Sequence, residues 1–169
     1  ASRRVREQRL DGTVLVALNL DDGSLAWKRT VASAGSLPQA QQTGAGAMPV
    51  IENGVVYFAE PLGTTSAIEL ATGRFLWARR SHAIDVATPP AQMLWATRPL
   101  VRDGMVYLIE PDGARLLAVD ARTGAVRSVR DENDFSGPGA LLGVGDMLVT
   151  ASVEQLYALP FASFGDAVL

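Results

Sequence analysis

Few side chains in this sequence are of the types that perform acid–base or nucleophilic chemistry. His82 is the single histidine, Asp85 follows three residues later, and there is no cysteine. A His–Asp pair can orient a general base, but no serine lies in the Gly-x-Ser-x-Gly turn that would present a nucleophile to it. The lack of cysteine also removes a thiolate nucleophile and a thiolate metal site. We therefore predict no catalytic residue and no metal ligand, and we interpret His82 as a solvated loop residue.

Carboxylates offer a second kind of chemistry. Glu60 and Glu110 lie 50 residues apart, and each is followed by proline. One interpretation is a ring of carboxylates that binds a cation or a basic partner; the other is a polar strand end that proline turns. Residues 131–134 (Asp-Glu-Asn-Asp) are rich in oxygen ligands, but they lack the glycine and the distal glutamate of a twelve-residue calcium loop. We interpret them as a solvated acidic loop.

Trp95 lies next to Met93 and Leu94 in a long irregular segment. It either covers the core or contacts a partner. Long loops on a rigid scaffold commonly carry binding residues. The candidate binding residues on these loops and strand ends are Glu60, Glu110, His82 and Trp95.

Composition restricts the class of protein. The chain has 169 residues, 48% of them hydrophobic, with a formal net charge of −3. These values are typical of a globular domain and give no reason to expect nucleic acid, whose binding needs clustered basic residues. No apolar run reaches the roughly 18 residues of a membrane-spanning helix. The basic first residues precede no apolar signal core. Either a signal was removed or this is an interior piece of a longer chain, and we expect the second because the first repeat starts part-way through.

The elements that position these side chains come from an internal repeat of about 50 residues. Several residue types keep this spacing together. They are Trp27 and Trp77, Pro49 and Pro99, Gly54 and Gly104, Tyr57 and Tyr107, and the series Gly23, Gly73 and Gly124.

Each repeat predicts two successive β-hairpins. Residues 49–58 form an apolar run, an Asn-Gly pair and a second apolar run, and residues 99–108 repeat this with Asp-Gly. Such pairs adopt the positive φ angles of a tight hairpin turn. A second hairpin follows at residues 67–77. Four short antiparallel strands per repeat predict an all-β fold built from β-propeller blades.

The blades are predicted at about residues 1–31, 45–80, 95–130 and 137–169 of one domain spanning 1–169. The first is partial, with residues 3–10 as an extra strand. The last is degenerate, because Pro160 stands where the second and third have Glu69 and Asp120, and no tryptophan follows. The total is about three and a half blades, fewer than the four to eight or so of typical propellers.

Residues 67–77 read A-I-E-L-A-T-G-R-F-L-W. This resembles the docking motif A-x-D-x-x-T-G-K-x-x-W of the pyrroloquinoline-quinone-like repeat family of quinoprotein-type propellers. Residues 17–27 keep the alanine, glycine and tryptophan, whereas residues 118–128 end in Ser128. The residues assigned to blade docking are Ala17, Gly23, Trp27, Ala67, Gly73, Trp77, Ala118, Asp120 and Gly124.

The resemblance implies that each motif tryptophan packs on the turn of a neighbouring blade, so the blade with Ser128 should dock more weakly. It implies an extracytoplasmic location and a non-catalytic scaffold that binds a protein partner or further blades. The alternative is a fragment of a quinone-dependent dehydrogenase whose catalytic residues lie elsewhere. Such enzymes hold quinone and Ca²⁺ with residues from several blades, and none of those residues maps onto this chain. We therefore assign it no cofactor.

Overall fold

The computed structural model describes residues 12–33, 48–60, 63–81, 98–110, 115–131, 140–151 and 156–164. These residues form thirteen β-strands and one short 3-10 helix. The predicted all-β class is confirmed. Within the described residues, no helix has the length and hydrophobicity needed to span a bilayer.

The strands form four antiparallel sheets that follow one another along the chain. The first sheet is β1 (Gly12–Leu18) and β2 (Leu25–Ser33), and the second is β3 (Val50–Glu52), β4 (Val55–Ala59), β5 (Thr64–Glu69) and β6 (Phe75–Arg80). The third is β7 (Leu100–Arg102), β8 (Met105–Ile109), β9 (Leu116–Asp120) and β10 (Val126–Arg130). The fourth is β11 (Ala140–Val144), β12 (Met147–Ala151) and β13 (Leu156–Pro160), followed by the 3-10 helix Phe161–Phe164.

The two predicted Asn-Gly and Asp-Gly turns are confirmed. Asn53 and Asp103 both have φ of 50°, and Gly54 and Gly104 both have φ of 75°. Positive φ at both central residues is the signature of a type I′ turn, whose twist matches that of the flanking strands. These turns fix the register in which β3 pairs with β4 and β7 with β8.

The outermost strand of each of the first three sheets carries a bulge at the same point of the repeat. In the second sheet Trp77 pairs with Ala67 and Phe75 with Ile68, which leaves Leu76 without an opposite residue. Register shifts recur beside Ala17 and between Val126 and Ser128. A bulge re-aims the side chains that follow it, and here the following side chain is the one at the motif tryptophan position.

The core consists of three apolar clusters, each lying between two successive sheets. Strands β4, β5, β8 and β9 are almost wholly buried, since a neighbouring sheet covers each of their faces. The clusters are Trp27, Val31, Val56, Phe58 and Ile68; Tyr57, Ala67, Val106, Leu108, Leu117, Val119 and Ala121; and Tyr107, Ile109, Leu116, Ala118, Leu141, Leu148 and Phe164.

The predictions for the two ends of the repeat array have different outcomes. The extra strand predicted at residues 3–10 lies outside the described residues. The fourth repeat keeps three described strands, and its register places Pro160 opposite Met147, as Asp120 lies opposite Met105 in the third sheet. The 3-10 helix that follows Pro160 was not predicted, because a four-residue helix has no hydrophobic periodicity to read.

Candidate functional site

The best-defined polar and aromatic site lies where the first sheet meets the second. The indole of Trp27 is 7% exposed and packs flat on the turn after β5. Its Nε1–H donates to the carbonyl oxygen of Leu70 at 2.7 Å. A Cβ placed on Gly73 would lie 2.7 Å from Cδ2 of Trp27, closer than real contacts allow. Arg29 completes the site, since its Nε donates to the carbonyl of Gly73 at 2.7 Å.

The second and third sheets meet through the same arrangement. The Nε1–H of Trp77 donates to the carbonyl of Ala121 at 2.8 Å, and a Cβ on Gly124 would lie 2.8 Å from the indole. The ring of Trp77 also lies 6.3 Å from that of Tyr57, tilted by 46°. Trp77 remains partly exposed. The glycine in each turn is therefore required both by its positive φ and by the ring that lies against it.

In the second and third sheets an acidic residue at the start of the turn holds the turn together. In the third sheet Asp120 accepts hydrogen bonds from Arg127 and from the backbone and hydroxyl of Thr123, each at 2.8 Å. The bond from Arg127, and next that from Thr123, hold the pKa of Asp120 well below its usual value. The ionised carboxylate is thus the form that fits the turn.

In the second sheet Glu69 performs the same task. Its carboxylate accepts a short hydrogen bond from the hydroxyl of Thr72 and pairs with Arg74 at 3.2 Å. These two contacts, in that order, lower the pKa of Glu69. The turn that receives Trp27 is therefore ordered by contacts within its own sheet.

The third and fourth sheets meet differently. Ser128 is 1% exposed, and its hydroxyl has no hydrogen-bond partner. Phe161 and Phe164 from the 3-10 helix each place a ring 5.2 Å from that of Tyr107, which shares a face of the third sheet with Ser128. Arg130 donates to the carbonyl of Ser163 at 2.5 Å and lies over Phe164. We predicted weaker docking here because Ser128 replaces the motif tryptophan. That prediction took no account of these two phenyl rings.

A second guanidinium joins the same two sheets. Arg102 lies 4.3 Å from the centroid of Phe161, a cation–π contact, and also donates to the carbonyl of Gly145. The repeat spacing of Arg29, Arg79 and Arg130 was a signal for an arginine two residues after the motif tryptophan position. Sequence reasoning missed that signal.

Glu110 is the centre of a buried polar cluster at the strand ends. It is 3% exposed; Oε1 accepts from the hydroxyl of Ser81 at 2.5 Å, and Oε2 forms an ion pair with Arg115 at 2.6 Å without the alignment of a hydrogen bond. Because Ser81 follows β6 and Glu110 follows β8, the cluster links the second sheet to the third. Arg79 lies beside it; burial lowers the pKa of Arg79 and the charge of Glu110 partly offsets this.

Glu60 occupies the corresponding place after β4 and is also 3% exposed. The Glu110 carboxylate is bound by Ser81 and Arg115. The binding roles predicted for Glu60 and Glu110 stay predictions. The other two candidate binding residues, His82 and Trp95, lie outside the described residues, and so do residues 132–134 of the acidic segment. Their binding roles stay predictions.

A Ca²⁺ bound beside a quinone needs several oxygen ligands turned towards one point. The described ranges contain no group of three or more histidine, cysteine or acidic side chains that could hold a metal ion, and the carboxylate of Glu110 is paired with Arg115. The assignment of no cofactor stays a prediction.

Comparison with protein families gives a match over nearly the whole chain. A family model described as outer membrane protein assembly factor BamB matches residues 10–161. The chain is 28% identical to the BamB of Moranella endobia over 115 residues, 68% of this chain and 26% of that protein. It is 26% identical to a tetrathionate hydrolase of Acidithiobacillus ferrooxidans over 149 residues, 87% of this chain and 28% of that protein. It thus spans little more than a quarter of the length of either relative.

Solved structures give the same fold. The crystal structure of BamB from Moraxella catarrhalis matches 92% of this chain and 42% of that chain, with a TM-score of 0.63 and 22% identity. The Sqt1 structure from Saccharomyces cerevisiae matches 94% of this chain and 42% of that chain, with a TM-score of 0.62 and 17% identity. The predicted β-propeller architecture is confirmed, and each four-stranded sheet is a blade.

Proposed function

The chain belongs to the PQQ-like repeat family represented by the outer membrane protein assembly factor BamB, and on that premise we propose that it is part of a non-catalytic β-propeller that scaffolds a protein partner outside the cytoplasm. The observation that carries the proposal is the family match over residues 10–161. The BamB relatives are named as factors of outer membrane protein assembly, which favours a partner in the cell envelope.

The contacts between sheets support a scaffold. Indole, guanidinium and carboxylate groups, the side chains most able to bind a ligand, are used here to join one blade to the next. The indole N–H groups of Trp27 and Trp77 are each satisfied by a turn carbonyl, and the buried Glu110 is paired with Arg115. Such interfaces make the blades a rigid support, and rigid supports present binding loops without a large ordering cost.

The proposed binding surface is the connection face, defined here as the side of the sheets where residues 34–49, 81–99 and 131–139 join one sheet to the next. Antiparallel pairing brings the end of β6, the start of β7 and the end of β8 to this side. The opposite side carries tight turns such as residues 53–54 and 103–104. Long connections offer more surface to a partner than two-residue turns.

Photo-crosslinking in the full-length protein tests which face binds. A crosslinking amino acid replaces Arg80 or Arg98, exposed on the connection face, or Asp103 or Arg122, exposed on the turn face as matched controls. We expect positions 80 and 98 to crosslink one envelope protein, identified by mass spectrometry, and positions 103 and 122 to give none. Equal crosslinking from both faces, or crosslinking from the turn face alone, would contradict the proposal.

The second candidate function is a fragment of an enzyme, and the observation that favours it is the tetrathionate hydrolase match over 87% of the chain. For a quinone-dependent dehydrogenase, pyrroloquinoline quinone and Ca²⁺ are added to the full-length protein, and saturable absorbance changes and alcohol oxidation are measured. Tetrathionate hydrolysis is assayed in parallel. Clear turnover of either substrate would overturn the scaffold proposal.

A further inference from the structure

The carboxylate of Glu110 is fully engaged where the second and third sheets meet on the connection face. Its backbone N–H donates to the carbonyl of Arg115 at 2.8 Å, so these two residues face each other beyond the last pair of β8 and β9. Oε1 accepts from the hydroxyl of Ser81 at 2.5 Å, and Oε2 lies 2.6 Å from the guanidinium of Arg115. Both carboxylate oxygens therefore already have partners.

Arg79 brings a second guanidinium to the same place. Burial lowers the pKa of Arg79, the charge of Glu110 raises it in part, and the charge of Arg115 lowers it further. Nη1 of Arg79 is buried and has no hydrogen-bond partner within the described residues. A buried donor without an acceptor carries a desolvation cost. An acceptor supplied by another molecule would remove that cost.

The counterpart of Arg79 in the first sheet has its acceptors. Arg29 follows Trp27 by two residues, and its Nε donates to the carbonyl of Gly73 at 2.7 Å while Nη2 donates to that of Thr72 at 3.2 Å. The neighbouring turn thus satisfies the guanidinium at the first interface. Contact between successive sheets does not account in the same way for Nη1 of Arg79.

The charges at this junction are unequal. Arg79 and Arg115 face the one carboxylate of Glu110, and Arg80 and Arg98 are exposed on the same side, at the end of β6 and just before β7. Because Glu110 neutralises one of the two inner guanidinium groups, one positive charge is left over. A carboxylate suits such a site, since its two oxygens match the fork of donors on a guanidinium.

We propose that Arg79 and Arg115 form a carboxylate-binding site that receives an aspartate or glutamate side chain of the protein partner. This inference rests on the proposed function and adds the chemistry of the partner, an acidic segment that reaches the junction of the second and third blades. Arg79 is half-buried, and the side chain of Arg115 is 34% exposed. Both guanidinium groups are therefore partly open to solvent yet desolvated enough to strengthen a charge pair.

Crosslinking in the full-length protein tests the proposal, with the crosslinking amino acid at position 98 as reporter. The yield of partner crosslink is measured at limiting protein concentration in the Arg79→Gln variant. We expect it to fall about tenfold or more, since the interface loses one member of a desolvated charge pair. Arg122→Gln is the matched control, because it removes the same charge from the exposed turn face and should leave the yield unchanged.

Glu110→Gln separates a binding role from a purely structural one. Glutamine still offers an acceptor to Ser81, but both guanidinium groups are then left unneutralised. We expect the crosslink yield to rise about twofold or more, whereas a structural role predicts a fall in both variants. Amide hydrogen exchange of β6 and β8 checks that each variant is folded.

Salt tests the unsubstituted protein without any risk of misfolding. Sodium chloride should lower the crosslink yield at position 98 several-fold by screening the charge pair. Sodium sulfate at equal ionic strength should lower it to the same extent. A selective loss with sulfate would overturn the proposal, since a free oxyanion would then be the ligand.

The remaining outcomes separate this proposal from the scaffold function. Equal yields from Arg79→Gln and the unsubstituted protein would contradict the carboxylate site and leave the scaffold intact, whereas no crosslink at all from positions 80 and 98 would contradict the scaffold itself. Lower yields in both Arg79→Gln and Glu110→Gln would show a structural role. If Asp85→Asn lowers the urea midpoint as much as Arg79→Gln does, the acceptor belongs to this chain and the proposal is wrong.

Discussion

The interface between the second and third sheets and the interface between the third and fourth receive an aromatic ring from opposite directions. In the former, Trp77 reaches forward from the outermost strand of the second sheet onto the turn at Gly124. In the latter, Phe161 and Phe164 reach back from the fourth sheet onto Tyr107. Aromatic rings pack between the sheets at both interfaces, although the second of them lacks the motif tryptophan.

The difference shows which feature of the motif is replaceable. An indole needs a glycine under it and a carbonyl for its N–H, and the fourth sheet has Pro160 where such a turn would begin. The position of the indole is taken by the small Ser128, and phenyl rings, which need no hydrogen-bond partner, cover the same face. Docking therefore requires aromatic area between the sheets and does not require that it come from one particular strand.

The largest expected loss of stability comes from a change at the interface between the second and third sheets, where the Trp77 indole lies. In Gly124→Val the new side chain combines the strain of φ at 75° with a collision 2.8 Å from the Trp77 ring. We expect a loss of about 4 kcal/mol in the free energy of unfolding, measured in urea. Gly104→Val is the control, because Gly104 has the same φ of 75° and open space around it. An equal loss in both variants would show that the ring contact is unimportant.

The next effect compares the two sources of aromatic area directly. Trp77→Ala and Phe164→Ala should each lower the free energy of unfolding by about 3 kcal/mol, the usual cost of truncating a large aromatic in a core. Phe164 is 3% exposed, and Trp77 is more exposed but also loses its bond to Ala121. A cost below about 1 kcal/mol for Phe164→Ala would mean that the phenyl rings do not substitute for the indole.

Acidification should affect the indole-bearing interface first. The pKa of Asp120 is lowered in the folded chain, so its stabilising contribution is present above the unfolded pKa of about 3.9 and is lost as the pH falls below it. Asp120→Asn should cost about 1 kcal/mol at neutral pH, the scale of a well-formed partly exposed ion pair. It should also make the decline in the urea midpoint below about pH 4 less steep. An identical decline in both proteins would rule out Asp120 as the titrating group.

The smallest expected change in stability comes from a substitution at the interface between the third and fourth sheets, where the phenyl rings lie. Ser128→Ala removes a buried hydroxyl that has no partner, so we expect a change between zero and a gain of about 1 kcal/mol. Thr150→Ala is a comparison variant, because Thr150 lies in the fourth sheet and is also a buried hydroxyl residue. A loss of more than about 1 kcal/mol for Ser128→Ala would indicate that its hydroxyl has a hydrogen-bond partner in solution.

The parts of the fold that could be predicted are those decided by near neighbours in the chain. The turn at Asn53 and Gly54 follows from residues that accept positive φ, and the strands follow from runs of β-branched and aromatic residues. The spacing between Trp27 and Trp77 indicated the repeat before any contact was known. The 3-10 helix and its two phenyl rings escaped prediction because their placement depends on Tyr107, which lies in another sheet.

For the candidate site, the sequence indicated which residue types recur but did not indicate which partners they contact. The sequence indicated that Glu60 and Glu110 recur, but it left open whether they form a carboxylate ring or strand ends. Pairing of Glu110 with Ser81 depends on how the second and third sheets stack, whereas Arg115 belongs to the same sheet as Glu110. Arg79 shows the same limit, since it keeps the repeat spacing of Arg29 yet lies beside Glu110.

By itself the sequence determined the repeat, the hairpins and the glycine positions, because turn chemistry and side-chain alternation act within a few residues. Only the tertiary structure decided which groups meet: Trp27 with the carbonyl of Leu70, and the phenyl rings with Tyr107. Those contacts join residues about 40 or more positions apart, where loop closure and sheet packing set the geometry and local preference has no influence.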